Sequence, residues 1–295
     1  MNATLHAAPA APPPAEGLAA AYDAFHAARA RSDLAARLYA AAMGDDYPAE
    51  VAASSSCDWP LLALMCARLR MSPGQLLVDA GCGTGGVGLW LARALAVRLD
   101  GFDLSPVAIA QAADRRGHFL SEHSERASFR VADLEKTGLA SGCAQGIVCV
   151  NALVSGSDKA AVVHELGRLL APGGRLVMTR SLRTGTTPLW EGQARAAGLR
   201  VEYLDERPGE PAMWERLYRL WIDHAAELRR ELGEDQARSM LDEAHRMLPA
   251  LPGRRAVLLT LRRPTAGPPA DVAADRMGEL GRQSGRHTNP GRTPQ

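Results

Sequence analysis

The sequence predicts an α/β fold with a doubly wound, seven-stranded sheet. Short apolar runs, which are typical of buried strands, alternate with segments whose apolar residues recur every three or four positions, as in helices. The strands predicted at 76–78, 97–102 and 146–150 are each followed by an acid or an amide. A late apolar run at 256–261 follows two helical patterns. We therefore expect the last strand to run antiparallel, after a helical insert.

A glycine-rich turn follows the first predicted strand. The apolar run ends at Asp79, and four glycines precede a helical stripe that begins at Val87. Glycine permits positive φ angles, and because it has no Cβ a ligand can approach its backbone closely. We predict a ligand cradle at this turn. Its candidate residues are Asp79, Ala80, Gly81, Cys82, Gly83 and Gly85.

The glycine spacing by itself does not identify the ligand. Gly81, Gly83 and Gly86 satisfy the dinucleotide fingerprint GxGxxG, which suits a nicotinamide cofactor and S-adenosylmethionine equally. Asp103 ends the second strand, 22 residues after Gly81. A carboxylate in that place can accept two hydrogen bonds from the ribose diol of any adenosine ligand. Both cofactors remain open at this point.

Further motifs at strand ends narrow the choice. VADL occupies 131–134, VNAL occupies 150–153 and APGGRLVMT occupies 171–179. Together with VDAGCGTGG and GFDLS, this ordered set resembles the class I S-adenosylmethionine-dependent methyltransferases over about residues 76–264. More narrowly, GLWLAR and DLSPVAIAQA resemble bacterial small-molecule methyltransferases of secondary metabolism. The resemblance implies a Rossmann-like methyltransferase fold with S-adenosylmethionine as cofactor.

The resemblance also implies roles for individual residues. Asp79 would face the ammonium end of the methionine moiety, and Asp103 would bind the ribose diol. Asp133 and Leu134 would hold the adenine ring. The other cofactor contacts that the resemblance implies are Ala80, Gly81, Cys82, Gly83, Gly85, Leu104, Ser105, Asn151 and Ala152.

Composition and periodicity divide the chain into four parts. Residues 1–17 and 265–295 are predicted to be disordered tails, because they contain too few large apolar residues to order themselves. Between them we predict N-terminal lid helices at 18–72 and a methyltransferase domain at 73–264. A helical cap at 211–250 belongs to this domain. The lid residues predicted to face the ligand are Tyr22, Tyr39 and Tyr47.

The cap carries aromatic residues and a histidine at helical spacing, so that they share one face. An insert before the last strand lies near the carboxyl ends of the strands, where α/β sheets bind ligands. We therefore predict that Trp214, Tyr218 and Trp221 line the substrate pocket, together with Tyr47. His224 is the predicted general base for a hydroxyl acceptor. The alternative is that this face only packs the insert onto the sheet.

Composition excludes several classes of protein. A formal net charge of +1 over 295 residues gives no basic face for nucleic acid. The five cysteines form no CxxC pair, so we expect reduced thiols and no metal site. No apolar run approaches the ~20 residues of a membrane span. We expect a cytoplasmic protein with a small-molecule substrate and no nucleic-acid or membrane partner. The oligomeric state stays open.

The predicted function is methyl transfer from S-adenosylmethionine to an O or N atom of a small organic acceptor, secondary metabolites included. The alternatives are an NAD-dependent oxidoreductase, a methyltransferase that acts on a macromolecule, and a cofactor-binding protein without transferase activity. An oxidoreductase would share the glycine turn but would not account for Asp79 or for the VADL and APGG motifs. Asn151 lacks the Pro-Pro-aromatic continuation of the DNA enzymes that methylate amino groups.

Overall fold

The computed structural model describes residues 15–153 and 158–265, with side chains from residue 17 onward. The predicted tail at 1–17 lies outside this part, except for its last three residues, which begin the first helix. The predicted tail at 265–295 lies outside it except for Thr265. Disorder of both tails therefore stays a prediction.

A seven-stranded sheet forms the centre of the molecule. The strands are β1 (Leu76–Ala80), β2 (Arg98–Asp103), β3 (Ala127–Val131), β4 (Ala144–Cys149), β5 (Leu170–Arg183), β6 (Arg200–Glu206) and β7 (Arg254–Arg262). They lie in the order β3-β2-β1-β4-β5-β7-β6. Strands β1 to β5 pair in parallel, and β7 runs antiparallel between β5 and β6. The predicted doubly wound sheet and its antiparallel last strand are both confirmed.

Strand β5 is longer than the sequence predicts. It begins at Leu170 and includes residues 171–174, whose proline and two glycines are typical of a turn. Gly173 has a φ of +84°, and its N–H donates to the carbonyl of Arg263 over 2.9 Å. The glycine therefore bends the chain without interrupting its pairing with the residues after β7.

Eleven helices surround the sheet in the described residues. They are α1 (Ala15–Ala30), α2 (Leu34–Met43), α3 (Trp59–Leu69), α4 (Gly86–Ala94), α5 (Pro106–Asp114), α6 (Arg116–Leu120), α7 (Lys159–Leu169), α8 (Trp190–Ala196), α9 (Glu210–Asp223), α10 (Ala225–Leu232) and α11 (Glu234–Met247). Single 3-10 turns occupy Gly44–Asp46, Ser121–Arg126 and Leu248–Gly253. Side-chain caps begin three of the helices, because these oxygens accept otherwise unpaired backbone N–H groups. The caps are Asp58, Ser105 and Asp158.

Helix α3 belongs to the core of the sheet and not to the lid that was predicted at 18–72. Its buried Leu61 and Met65 share an apolar cluster with Leu77, Val148 and Val177 of the central strands. The apolar face of α3 is therefore buried against the sheet and does not cover a ligand. The lid is restricted to helices that precede α3.

Helices α1, α2, α9, α10 and α11 form a separate helical layer with an apolar core of its own. Leu38 of α2, Leu217 of α9 and Leu228 of α10 are buried in it. The Nε of Arg216 donates to the carbonyl of Ala42 over 2.7 Å, which joins α9 to the end of α2. The predicted cap and the predicted lid are thus packed together. The cap has three helices where the sequence indicated two.

The antiparallel strand β7 should be essential to stability, because it lies between β5 and β6 and pairs with both. Leu258 of β7 is fully buried. Leu258→Ala should lower the free energy of unfolding by about 2–5 kcal/mol, through lost burial and the cavity left behind. Leu189→Ala is the matched control, since Leu189 is 72% exposed. Urea unfolding measures both, and equal losses in the two variants would contradict the assignment.

Candidate active site

The carboxyl ends of β1, β2 and β4 open into a cavity of about 420 Å³. This is the place where ligands bind in open α/β sheets. Most of the predicted cofactor residues line this first cavity, although a contact between each of them and a cofactor stays a prediction. The lining residues among them are Asp79, Gly81, Cys82, Gly83, Asp103, Leu104, Asp133, Leu134, Asn151 and Ala152.

The glycine turn is held by the neighbouring strand β2. The N–H groups of Gly81 and Cys82 both donate to the carbonyl of Phe102 over 2.9 Å. Gly81 has a φ of +71°, and a Cβ built on it would lie 2.4 Å from the Cβ of Ala152. No other residue type fits this position without displacing the loop after β4. Glycine at 81 therefore keeps two walls of the cavity close together.

Asp103 links the glycine turn to the start of α5. Its Oδ2 accepts the N–H of Gly83 over 2.9 Å, and its Oδ1 accepts the N–H of Ser105 over 3.0 Å. Each carboxylate oxygen has two lone pairs, so each can accept one more hydrogen bond from a ligand. Asp103 is therefore fixed in orientation and still able to bind a pair of hydroxyl groups.

Asp79 is a buried acid at the inner end of the cavity. Its side chain is turned toward α4, where Oδ2 accepts the N–H of Gly88 over 3.0 Å. Burial raises the pKa of Asp79 to about 7, the hydrogen bond from Gly88 opposes this, and the charge of Asp103 adds to it. A cationic group of a ligand placed here would favour the ionised form of Asp79.

Asn151 holds a loop over the cavity. It adopts a left-handed conformation with a φ of 52°, and its N–H donates to Oγ1 of Thr179 over 2.8 Å. Its Oδ1 accepts the Oγ–H of Ser56 over 2.8 Å. Arg207 donates to the carbonyl of Ser56 over 3.1 Å and to Asp58 over 2.8 Å. The side chain of Asn151 is thus occupied in anchoring the chain that leads into α3.

Helix α1 crosses the open side of the cavity. Asp23 accepts the Oγ–H of Ser105 and, over 3.2 Å, the N–H of Val107, both at the N-terminus of α5. A carboxylate is favourable there because unpaired N–H groups and the helix dipole attract it. This contact places one face of α1 on the ligand side. The residues of that face which line the cavity are Leu18, Tyr22, Phe25 and His26.

His26 lines the first cavity and was not among the residues predicted from the sequence. Its Cε1 would lie 3.5 Å from a Cβ built on Gly83, so the imidazole stands directly over the glycine turn. Burial lowers the pKa of His26, and the negative charge of Asp103 opposes that effect. The ring is therefore neutral at neutral pH and can accept a proton. Its spacing of four residues from Tyr22 is the signal that could have revealed it.

Three predicted cofactor residues have structural positions instead. Ala80 is fully buried in the sheet core, Gly85 faces Ala112 and Phe129, and Ser105 caps α5. None of the three lines the first cavity. Four polar residues next to the predicted motifs line the first cavity although they were not among the predicted contacts. These are Ser54, Ser55, Thr84 and Glu135.

The cap residues require a correction. Trp214, Tyr218 and Trp221 lie in the core of the helical layer, and none of them lines the first cavity. The ring centroid of Trp214 lies 6.3 Å from that of Tyr39, and the hydroxyl of Tyr218 donates to Glu243 over 2.9 Å. The aromatic face of α9 is covered by α2 and α11. These contacts support the alternative of a packing role, and the surface against which the face packs is formed by α2 and α11 and not by the sheet.

His224 does not reach the first cavity either. It ends α9, and its Nδ1 lies 3.4 Å from Oε2 of Glu227. Its side chain is 38% exposed. The prediction that this imidazole faces the reacting atoms is corrected, because α9 turns its aromatic face toward α2 and places its end at the surface.

A second cavity, of about 220 Å³, lies beside the first. The two share the lining residues His26, Ala53, Ser54 and Thr84. Tyr47, which was predicted to contact the substrate, lines this second cavity.

Other kinds of site find no support in the part of the chain that the structure describes. No three histidine, cysteine or acidic side chains there converge on a point that could hold a metal ion. The five cysteines are all free thiols. None of the helices in the described residues combines the length and the apolar character needed to cross a membrane.

The sheet order, the glycine turn and the strand-end acids together define a class I methyltransferase fold. Residues 77–174 match the family described as "Methyltransferase domain". This match covers β1 to β4, the glycine turn and the beginning of β5, so the central part of the chain is similar to a methyltransferase domain. The resemblance found in the sequence motifs is confirmed.

Two curated relatives show how far the similarity extends. Methyltransferase GfsG of Streptomyces halstedii is 31% identical over 148 residues, which are 48% of this chain and 52% of the relative. An O-methyltransferase of Pyrenophora dematioidea is 32% identical over 109 residues, which are 37% of this chain and 40% of the relative. The chain thus spans about half the length, or less, of these relatives.

Solved structures support the fold over a longer stretch. The [4+2]-cyclase SpnF has a TM-score of 0.67 at 20% identity, and the match covers 87% of this chain and 98% of that one. The phosphoethanolamine N-methyltransferase 2 of Haemonchus contortus, solved with phosphomonomethylethanolamine and S-adenosylhomocysteine, has a TM-score of 0.62 at 16% identity. That match covers 83% of this chain and 60% of the other. At these identities the likeness concerns the fold alone.

The raised pKa of Asp79 predicts a pH dependence of stability. The folded protein keeps the proton up to about pH 7, whereas the unfolded chain loses it near the ordinary value of 3.8. Between these values the folded state binds more protons, so stability falls as the pH rises. Asp79→Asn should remove this fall. The difference in unfolding free energy between variant and wild type should grow by up to about 4 kcal/mol from pH 4 to pH 7.

Asp242→Asn is the control for this experiment, because Asp242 is exposed. Its urea unfolding should follow the wild type across the whole pH range. An Asp79→Asn curve parallel to that of the wild type would show that Asp79 is ionised in the folded protein.

Proposed function

We propose that the protein transfers a methyl group from S-adenosylmethionine to an O or N atom of a small organic acceptor. The observation that carries the proposal is the glycine turn bound to Asp103 on the wall of the first cavity. The match to the methyltransferase-domain family supports it. So does the fold of a neighbour that was solved with S-adenosylhomocysteine.

The residues of the first cavity fit this cofactor. The cradle at Gly81 leaves no room for a Cβ, Asp103 offers two acceptor oxygens for a ribose diol, and Asp79 offers a carboxylate for an ammonium group. Asp133 and Leu134 line the part beyond Asp103, where adenine would lie. When bound, S-adenosylmethionine supplies a methyl carbon that its sulfonium makes electrophilic. The work of the protein is to hold the acceptor atom about 3 Å from that carbon and to exclude water.

The sheet favours this cofactor over a nicotinamide. Dinucleotide-binding folds have a parallel sheet of order 3-2-1-4-5-6. Here β7 is inserted antiparallel between β5 and β6. A second candidate function is a reaction other than methyl transfer, since the [4+2]-cyclase SpnF shares the fold. Binding and transfer must therefore be measured separately.

His26 replaces His224 as the proposed proton acceptor. It lies where the first and second cavities meet, over the glycine turn, and burial keeps its imidazole neutral. A hydroxyl acceptor loses its proton as the new bond forms, and a neutral imidazole within reach can take that proton. An unprotonated amine acceptor would need no base, because its product can release a proton to water.

The setting of the reaction belongs to the proposal as well. We propose that the enzyme acts in the cytoplasm on a small molecule. Secondary metabolites are among the candidate substrates. The free cysteines of the described residues and the small net charge support this setting. No nucleic-acid partner is proposed.

The proposal predicts that the protein binds S-adenosylhomocysteine and that Gly81→Ala weakens this binding by at least roughly tenfold, because the added methyl group pushes Ala152 into the cavity. Isothermal titration calorimetry measures the dissociation constants. Gly138→Ala is a matched control. Gly138 has the same φ of +71°, but a Cβ built on it meets nothing within 4 Å.

The two variants share the backbone strain and differ only in the contact. Equal affinities of Gly81→Ala and Gly138→Ala for S-adenosylhomocysteine would show that the glycine turn is not part of the binding site. Tight binding of NAD without any binding of S-adenosylhomocysteine would overturn the proposed function.

The proposed base predicts a second outcome. An acceptor is first identified by incubating the protein with labelled S-adenosylmethionine and fractionated small molecules. For a hydroxyl acceptor, His26→Gln should lower the turnover rate by roughly 10²–10⁴-fold. The fall of the wild-type rate at low pH, which reports protonation of the base, should disappear in the variant.

His224→Gln is the control, since this histidine lies outside both cavities of the described residues. It should keep the turnover rate and the pH profile of the wild type. A loss of turnover in His224→Gln that His26→Gln does not show would restore the sequence-based assignment.

A further inference from the structure

The second cavity contains an arginine that forms no ion pair with any acidic side chain in the part of the chain that the structure describes. Arg29 of α1 lines it, opposite Tyr39 of α2, Tyr47 and Arg115 of α5–α6. Arg29 does not line the first cavity. A group that occupied the second cavity would reach the first past His26, which lines both.

The guanidinium of Arg29 is held in place but poorly hydrogen-bonded. Its Cζ lies 3.4 Å from the centre of the Phe25 ring, so it stacks on the aromatic face. Its Nη1 reaches the carbonyl of Phe25 at 3.5 Å and its Nη2 reaches the sulfur of Met240 at 3.6 Å, both long contacts. Its Nε is buried and has no hydrogen-bond partner among the described residues.

Arg29 nevertheless keeps its charge. Burial lowers its pKa to about 10, which leaves the guanidinium protonated at neutral pH. The nearby Glu243 accepts the hydroxyl of Tyr218 and forms no ion pair with Arg29. Asp33, which also lines the cavity, pairs with Arg37 over 3.0 Å and is exposed. A cation whose Nε is buried and which has no counter-ion among the described residues is costly to the folded state.

The rest of the lining adds positive charge and hydrogen-bond donors. Arg115 donates to Thr84 and to the carbonyls of Glu50 and Val51, and no carboxylate of the described residues pairs with it. Burial raises the pKa of Tyr39 and of Tyr47, so that both hydroxyls stay protonated and can donate. The cavity is therefore suited to an anion with oxygen acceptors.

We propose that the second cavity binds a carboxylate of the acceptor, with Arg29 as its counter-ion. This inference rests on the proposed function, because it assigns the class of acceptor to the same site. The carboxylate would occupy the second cavity while the reacting atom lies near His26, where the two cavities meet. The methionine end of the cofactor is the other source of a carboxylate, and we favour the acceptor because Arg29 is absent from the first cavity's lining.

The test uses the full chain saturated with S-adenosylhomocysteine and three probes: acetate, benzoate and the neutral analogue benzamide. At constant ionic strength, calorimetry should show that the wild type binds at least one of the two anions with 1:1 stoichiometry and binds benzamide more weakly. Arg29→Met should weaken anion binding by at least roughly tenfold, since it removes one partner of a buried charge pair. Arg29→Lys should restore part of it.

Arg31→Met is the control variant, because Arg31 is exposed two residues further along and does not line the cavity. It should bind the anions as the wild type does. A structural role for Arg29 would lower the melting temperature of Arg29→Met, whereas a buried cation kept for a ligand predicts an unchanged or higher melting temperature in the absence of ligand. Anion binding that is absent from the wild type, or unchanged in Arg29→Met, would overturn the proposal.

A last comparison separates the two sources of carboxylate. Methylthioadenosine has the adenosine and sulfur of S-adenosylhomocysteine but no amino acid end. If Arg29→Met weakens binding of S-adenosylhomocysteine and not of methylthioadenosine, Arg29 serves the cofactor and the acceptor assignment fails. If the wild type binds neither nucleoside, the proposed function itself fails, which is a different result.

Discussion

The hydrogen bonds between the glycine turn and the end of β2 are the constraint on which the site depends. Phe102 accepts the N–H groups of Gly81 and Cys82, and Asp103 accepts that of Gly83. These bonds require β1 and β2 to pair in register, with Ala80 opposite Phe102. The turn then has the shape that leaves the first cavity open beside it. The shape of the glycine turn is thus a consequence of strand pairing, and not a local property of the loop.

In the helical layer, structural support and contact with the ligand belong to different helices. Helices α9 to α11 provide apolar surface, while α1 provides the side chains that face the ligand. The link between them is α2, whose Leu38 and Tyr39 are buried against α9. Asp23 then fixes α1 on the N-terminus of α5. The insert before β7 therefore supports the lid. Its aromatic residues stabilise the packing of α2 on α9, and this pair of helices has little contact with the sheet.

The distribution of charge along the two cavities suits an ordered arrangement of ligand groups. Asp79 and Asp103 place acidic oxygens on the strand side, and Arg29 places on the helix side a guanidinium that no described carboxylate pairs with. His26 lies between them, with its pKa lowered by burial and pulled in opposite directions by Asp103 and Arg29. A neutral imidazole in that position can exchange a proton without a large change in its surroundings. The proposed base and the proposed carboxylate site thus depend on the same helix.

The local sequence was sufficient to predict the sheet, the glycine turn and most of the residues at the strand ends that line the first cavity. Apolar runs specify strands, and Gly81 and Asp103 must occur at fixed places in a strand, turn and helix unit. The sequence could not show what would cover the aromatic face of α9. An amphipathic pattern indicates that one face of a helix is buried, but it does not indicate which partner buries it. Only the docking of α1 through Asp23, a contact between residues more than 80 positions apart, brought His26 over the turn and Arg29 to the second cavity.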